Sequence, residues 1–200
     1  MSLPYSESCE QNKDVILNAI SSFLKSGAEV LEIGSGTGQH AVYFAGLYPE
    51  IIWQTSDRQE NLAGIRSWLD KGQQQNIPEP IELDVRESWP EKSYNMIFSA
   101  NSLHIMSESE VEQFFTGCGQ RTKPAGHLVV YGPFNYNGDY SSDSNRQFDQ
   151  WLKARDSESG IKHFEWIDRL AQDAGFKIVD DIEMPANNRT IIWQRETLSD

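Results

Sequence analysis

Cysteine is scarce in this chain. Cys9 and Cys118 are the only two in 200 residues, they stand far apart, and neither belongs to a Cys-x-x-Cys pair. That spacing signals neither a disulfide framework nor a zinc site, and it suits a reducing cytoplasm. Basic side chains are also few, 17 Lys and Arg against 30 Asp and Glu, for a net charge of −13. Nucleic acid or an anionic membrane surface would meet long-range repulsion from such a chain, so neither is expected as a partner. No apolar run approaches the roughly 20 residues that span a bilayer. The N-terminus lacks the basic-then-apolar order of a secretion signal, and Met1-Ser2-Leu3 carries no functional weight. A soluble, cytoplasmic protein is the expectation. Repeats, low-complexity tracts and linkers are missing too, so residues 1–200 read as a single domain, with oligomeric state left open.

What is present is an alternation of strand and helix signals. Val15, Ile16, Ala19, Ile20, Phe23 and Leu24 recur at helical spacing, predicting an amphipathic helix near 12–25. Val30-Leu31 leads into a glycine loop and a helix from His40. Ile51 to Thr55 reads as a second strand ending in Ser56-Asp57, followed by a helix with Leu62, Ile65, Trp68 and Leu69 on one face. A third strand, 81–83, stops at Asp84, and a fourth runs from Tyr94 to Ser99. Ser107 and Glu110 form a capping-box pattern before a helix that buries Val111, Phe114, Phe115 and Cys118. Lys123-Pro124-Ala125-Gly126 reads as a turn before a fifth strand, 127–131. After a helix through Trp166 and Leu170, strands near 177–184 and 190–194 suit an antiparallel hairpin joined by 185–189. The pattern predicts an α/β fold: a doubly wound, mainly parallel seven-stranded sheet with a C-terminal antiparallel hairpin and helices on both faces. Residues 132–160 break the rhythm just past a strand's carboxyl end, where ligands bind in such sheets, and are read as a substrate-covering insertion or a plain surface loop.

The glycine loop points to a nucleoside cofactor. Three glycines alternate as Gly34-x-Gly36-x-Gly38, so backbone can approach a ligand closely. The dinucleotide fingerprint is Gly-x-Gly-x-x-Gly, which puts the third glycine one place later and weakens a nicotinamide reading. Asp57 is a natural acceptor for two ribose hydroxyls and supports either nucleoside.

Glu32-Ile33-Gly34-Ser35-Gly36-Thr37-Gly38, with Asp57 and Asp84 after the next two strands, resembles the class I S-adenosylmethionine-dependent methyltransferases. The resemblance implies a Rossmann-like fold and a cofactor held by Glu32, Gly34, Gly36, Gly38 and Asp57, its methionine part along the loop. It further implies that Asp84 accepts the adenine amine and that Val85 donates its backbone N–H to the ring. More narrowly, the chain is similar to a poorly characterised family of small methyltransferase-like proteins once classed as a domain of unknown function. Pro4-Tyr5-Ser6, Glu10 to Lys13, Ser99 to His104, Gly132 to Tyr136, Ser144 to Asp149 and Met184 to Asn188 carry that likeness. The implied activity is direct in-line methyl transfer to a small molecule. A non-catalytic cofactor-binding module and an NAD(P)-dependent oxidoreductase are the alternatives.

Methyl transfer asks mainly for alignment, with a base where the acceptor carries a proton. His104 follows the fourth strand and is the candidate base, against a structural role as a helix-opening residue. Asn101 would orient the acceptor or simply make a turn. Tyr140, with Tyr5 and Tyr136, would wall the sulfonium or pack as ordinary aromatics. Asn12 would reach the methionine end of the cofactor or cap a helix, and Asn187 and Asn188 would face the acceptor or form the hairpin turn. Ser99-Ala100-Asn101-Ser102 replaces the Asn-Pro-Pro-Tyr-like sequence of amino-group methyltransferases, and Cys118 sits on an apolar face, which discounts a cysteine nucleophile.

Overall fold

The computed structural model describes residues 3–197. Helix α1 spans Glu7–Ile20, and the Ser6 hydroxyl accepts from the Cys9 amide as its N-cap. It starts well before residue 12, because its first turn is polar and carries no apolar period for a sequence to display. Strand β1 (Glu29–Ile33), helix α2 (Gln39–Leu47), strand β2 (Ile52–Asp57), helix α3 (Gln59–Gly72) and the short strand β3 (Ile81–Glu82) form the first half. The second half comprises β4 (Tyr94–Ala100), α4 (Glu108–Arg121), β5 (Thr122–Gly132), α5 (Asp143–Arg155), α6 (Phe164–Asp173), β6 (Phe176–Met184) and β7 (Asn188–Arg195).

The seven strands lie in the order β3-β2-β1-β4-β5-β7-β6. Neighbours from β3 to β5 are parallel, and β7 runs antiparallel to both β5 and β6. The predicted architecture is the observed one. Successive residues of a strand point to opposite faces, so Val30 packs with Ile16, Phe44 and Trp53 on the α1–α2 side, while Leu31 packs with Phe114, Phe115 and Trp193 on the other. Because both faces are covered, consecutive residues of the central strands are buried rather than alternating with exposed ones.

Two local expectations are corrected. Residues 123–126 do not separate α4 from a strand; they lie within β5, where Thr122 pairs with Tyr94 and the register shifts before Met96 meets His127. Ala125, at φ 59°, accommodates the irregularity as a left-handed residue. In the 132–160 segment the helix is longer than its apolar centre, Phe148 to Leu152, indicates. It begins where the Ser142 hydroxyl caps the Asn145 amide. The β6–β7 link is a 3-10 turn, Pro185–Asn187, with Ala186 and Asn187 at φ 57°.

Candidate cofactor cleft

The sheet order turns at the β1–β4 boundary, since the chain winds outward to β3 on one side and to β5 on the other. A crevice opens there beyond the carboxyl ends, and the glycine loop fills its floor. Gly34, Gly36 and Gly38 have φ of 72°, 57° and 87°, a conformation costly to any residue with a Cβ. At Gly34 a Cβ would also stand 2.5 Å from the Ser102 hydroxyl, so that backbone approach is closed to a side chain. Asp57, at the end of β2, locks the loop: one carboxylate oxygen accepts the Gly36 amide at 2.7 Å, and the other accepts the Arg58 amide at 2.7 Å and Asn61 Nδ2 at 2.8 Å.

Glu32 stands behind this loop rather than on the cleft wall, correcting the expectation of direct contact. It is 1% exposed, and one carboxylate oxygen accepts Trp53 Nε1 at 3.0 Å and Ser35 Oγ at 3.1 Å. Burial pushes its carboxyl up to about 7, against those two hydrogen bonds. The reason lies in the pleat: Glu32 and Trp53 come from adjacent parallel strands and their side chains share a face. His40, also buried, lies with Nδ1 3.9 Å from Glu32 and Nε2 2.7 Å from Asn12 Oδ1. Burial lowers the His40 imidazole to about 4. Asn12 is therefore inside α1 and facing the cleft, not a cap.

The cleft holds about 1130 Å³ and runs from the ends of β2 and β3 across the glycine loop to β5, α5 and the 185–188 link. Asp57, Asp84 and Val85 line one end; Asn101, His104, Tyr131, Asn145 and Phe148 line the other. Asp84 is engaged by its own neighbour: Arg86 donates through its amide at 3.0 Å, Nε at 2.9 Å and Nη2 at 2.6 Å. Those bonds, with the Arg58 guanidinium nearby, hold the Asp84 carboxyl down at about 2.

With that geometry in hand, a family model described as "Protein of unknown function (DUF938)" matches residues 3–195. The chain belongs to the DUF938 family. Its fold is that of solved methyltransferases. An O-methyltransferase family protein from Burkholderia thailandensis superposes with a TM-score of 0.85 at 14% identity, covering 96% of this chain and 57% of that one. Human N-acetylserotonin methyltransferase in complex with S-adenosylmethionine gives 0.81 at 18% identity, covering 96% and 53%. An O-methyltransferase family 2 protein from Planctomyces limnophilus in complex with apigenin gives 0.74 at 16% identity, covering 92% and 61%. The DUF938 chain thus spans somewhat over half the length of these neighbours.

The remaining site residues of the DUF938 chain divide between the cleft and elsewhere. Asn101, at φ 57°, donates its amide to the Tyr131 carbonyl at 2.8 Å and presents its side chain to the cleft. His104 lies in a 3-10 turn, Leu103–Ile105, edge-on to Phe148 at 5.3 Å between ring centres. Burial, reinforced by the Lys162 charge, lowers its imidazole to about 4. Tyr140 is not brought to the cleft: its hydroxyl donates to Asp149 at 2.6 Å, and it borders a separate polar depression of about 510 Å³. Tyr5 is 59% exposed, and Tyr136 stacks on Phe164 and donates to Asp181 at 2.9 Å, so neither walls the cleft. Asn187 and Asn188 border the cleft and also build the turn, Asn188 Nδ2 donating to the Pro185 carbonyl at 3.1 Å.

Sequence reasoning passed over Tyr131, Asn145, Phe148 and Lys162. Tyr131 was findable, because it closes a strand at the carboxyl edge where ligands bind. Lys162 had no such signal. Its Nζ donates to the carbonyls of Met106, at 2.7 Å, and Gly160, at 3.0 Å. With Gly160 N donating to His104 O at 2.9 Å and Ser159 Oγ to Ile105 O at 3.0 Å, residues 159–162 satisfy three consecutive carbonyls of the His104 turn. Asp149, 1% exposed, fixes this latch from below by accepting Ile161 N at 2.7 Å.

Proposed function

We propose that this protein is an S-adenosylmethionine-dependent methyltransferase that modifies a small molecule by direct in-line transfer. One observation carries the reading: a three-glycine loop in left-handed backbone, clamped through the Gly36 amide by Asp57, borders a cleft long enough for a nucleoside and a second molecule. The donor set fits the cofactor. Gly34 and Gly36 offer bare backbone to its methionine part, whereas Gly38 turns toward Ile65 and Trp68 of α3 and does not line the cleft, and Asp57 Oδ2, which accepts only the Gly36 amide, has a lone pair left for a ribose hydroxyl. Asp84 and Val85 border the adenine end, where Arg86 must yield or share Asp84. Asn12 faces the methionine end, while Glu32 acts through Ser35 and the loop.

When bound, the cofactor supplies an already activated S-methyl group. The chain's own part is to align the acceptor, exclude water and take up any proton it releases. His104, neutral at physiological pH, suits the last task, and Asn101 suits orientation. In this reading the chain is one domain, α5 and the rest of 132–160 cover the acceptor, and the protein works in the cytoplasm, a location supported by its scarce, unpaired cysteines. The solved neighbours support the class, since one carries S-adenosylmethionine by name and another a small phenolic compound.

Incubation with methyl-labelled S-adenosylmethionine and a deproteinised metabolite extract tests the activity. Label appearing in an acid-soluble product, and absent with His104→Ala, is the expected result. Cofactor uptake with no transfer would replace the enzyme by a binding module.

A further inference from the structure

The acceptor half of the cleft carries no formal charge. The four charged side chains on the walls, Asp57, Arg58, Glu60 and Asp84, all follow β2 or β3. Beyond Asn101 the walls come from α1, the His104 turn, the end of β5, α5 and the 185–188 link, and these contribute no Lys, Arg, Asp or Glu. Lys162, close enough to influence His104, does not line the cleft, and its ammonium is held by the Met106 and Gly160 carbonyls.

Within this neutral half Asn145 offers an open acceptor. Asn145 is 5% exposed, and both amide hydrogens are used, on Ser141 Oγ at 2.8 Å and on the Asn187 carbonyl at 3.0 Å. A carbonyl can only accept, so the amide orientation is fixed, and Asn145 Oδ1 is the atom left over. It takes no hydrogen bond from the described residues. The His104 ring nitrogens are equally uncommitted, and Phe148 offers an apolar face beside them. Asn145 Oδ1 is thus an acceptor on the cleft lining that a ligand hydroxyl can engage. A carboxylate, phosphate or ammonium would instead lose its water without an opposite charge to meet.

Resting on the methyltransferase reading of the cleft, we propose that the acceptor is an uncharged hydroxyl compound with an apolar body, its hydroxyl hydrogen held by Asn145 Oδ1 on binding and passed to His104 on methyl transfer, its body lying against Phe148. Charged metabolites are excluded by the same walls.

Four probes on one ring test this: benzyl alcohol, benzoate, benzyl phosphate and benzylammonium, titrated by ligand-observed NMR into protein saturated with S-adenosylhomocysteine. The alcohol should bind at least about tenfold more tightly than each charged probe, the discrimination expected of a pocket with unpaired polar groups. Asn145→Ala should weaken the alcohol while leaving the S-adenosylhomocysteine dissociation constant unchanged. Equal or tighter binding of any charged probe, or no binding of the alcohol to the saturated protein, overturns the proposal, and this ranking needs no variant to fold. Failure to take up S-adenosylhomocysteine contradicts the methyltransferase reading instead.

Discussion

Glu32, His40 and His104 are buried titratable groups whose effects on stability run in opposite directions. Glu32 titrates at about 7 in the fold against 4.5 ordinarily. Between those values the native state keeps a proton that the unfolded chain has released, so this group's contribution declines as pH rises through the window. Glu32→Gln should therefore gain stability relative to the parent as pH rises from about 4.5 to about 7, read from urea denaturation at both ends of that range. A constant difference across the window would contradict a buried, proton-holding carboxyl. The two histidines fall to about 4 from 6.5. Their contribution is complete above 6.5 and is lost as pH falls toward 4, because the unfolded chain then binds protons the native state refuses. By NMR, the His104 imidazole should remain neutral down to about pH 4; a midpoint near its ordinary value would remove the case for a neutral base at that position.

At the level of elements, residues 159–162 are tied to the His104 turn. Lys162→Met removes the ammonium that binds the Met106 and Gly160 carbonyls. Faster amide exchange at Gly160 and around the His104 turn is expected, along with an upward shift of the His104 pKa as a neighbouring positive charge disappears. An unmoved His104 titration would mean that burial alone sets it. The same latch marks how far the sequence was legible. The β1-loop-α2 unit, the capping box of α4 and the closing hairpin announce themselves through local patterns of apolar period, glycine spacing and cap chemistry. The early start of α1 does not, because its polar first turn has no apolar face. Nor does the irregular start of β5, where a turn-like Pro124-Ala125-Gly126 is absorbed by pairing with β4. Asn145, Lys162 and Glu32 take their meaning from partners 42, 56 and 21 positions away, in Asn187, Met106 and Trp53. No local pattern encodes such contacts. Conversely, Tyr140 looked like a wall for the sulfonium but is drawn to Asp149 nine positions on, away from the cleft.

Across the whole molecule, strand order determines the division of labour in the cleft. Winding outward from β1 puts the acidic strand ends of β2 and β3 together at one side, while β5, α5 and the 185–188 link supply neutral groups at the other. A single crevice thus has a charged end and an uncharged end, the division on which the proposed function rests. No helix among the described residues is long and apolar enough to cross a membrane, and the net charge of −13 still opposes polyanionic partners. The proposed function requires the glycine loop and its Asp57 clamp to be a cofactor site. Isothermal titration of S-adenosylhomocysteine into the wild-type protein and into Asp57→Ala, with NADH as the competing ligand, tests it most directly. Saturable one-to-one binding to the wild type, weakened at least about tenfold in a variant that still melts cooperatively, together with no heat from NADH, is expected. Equal affinity in the two proteins, or binding of NADH in place of S-adenosylhomocysteine, would contradict it.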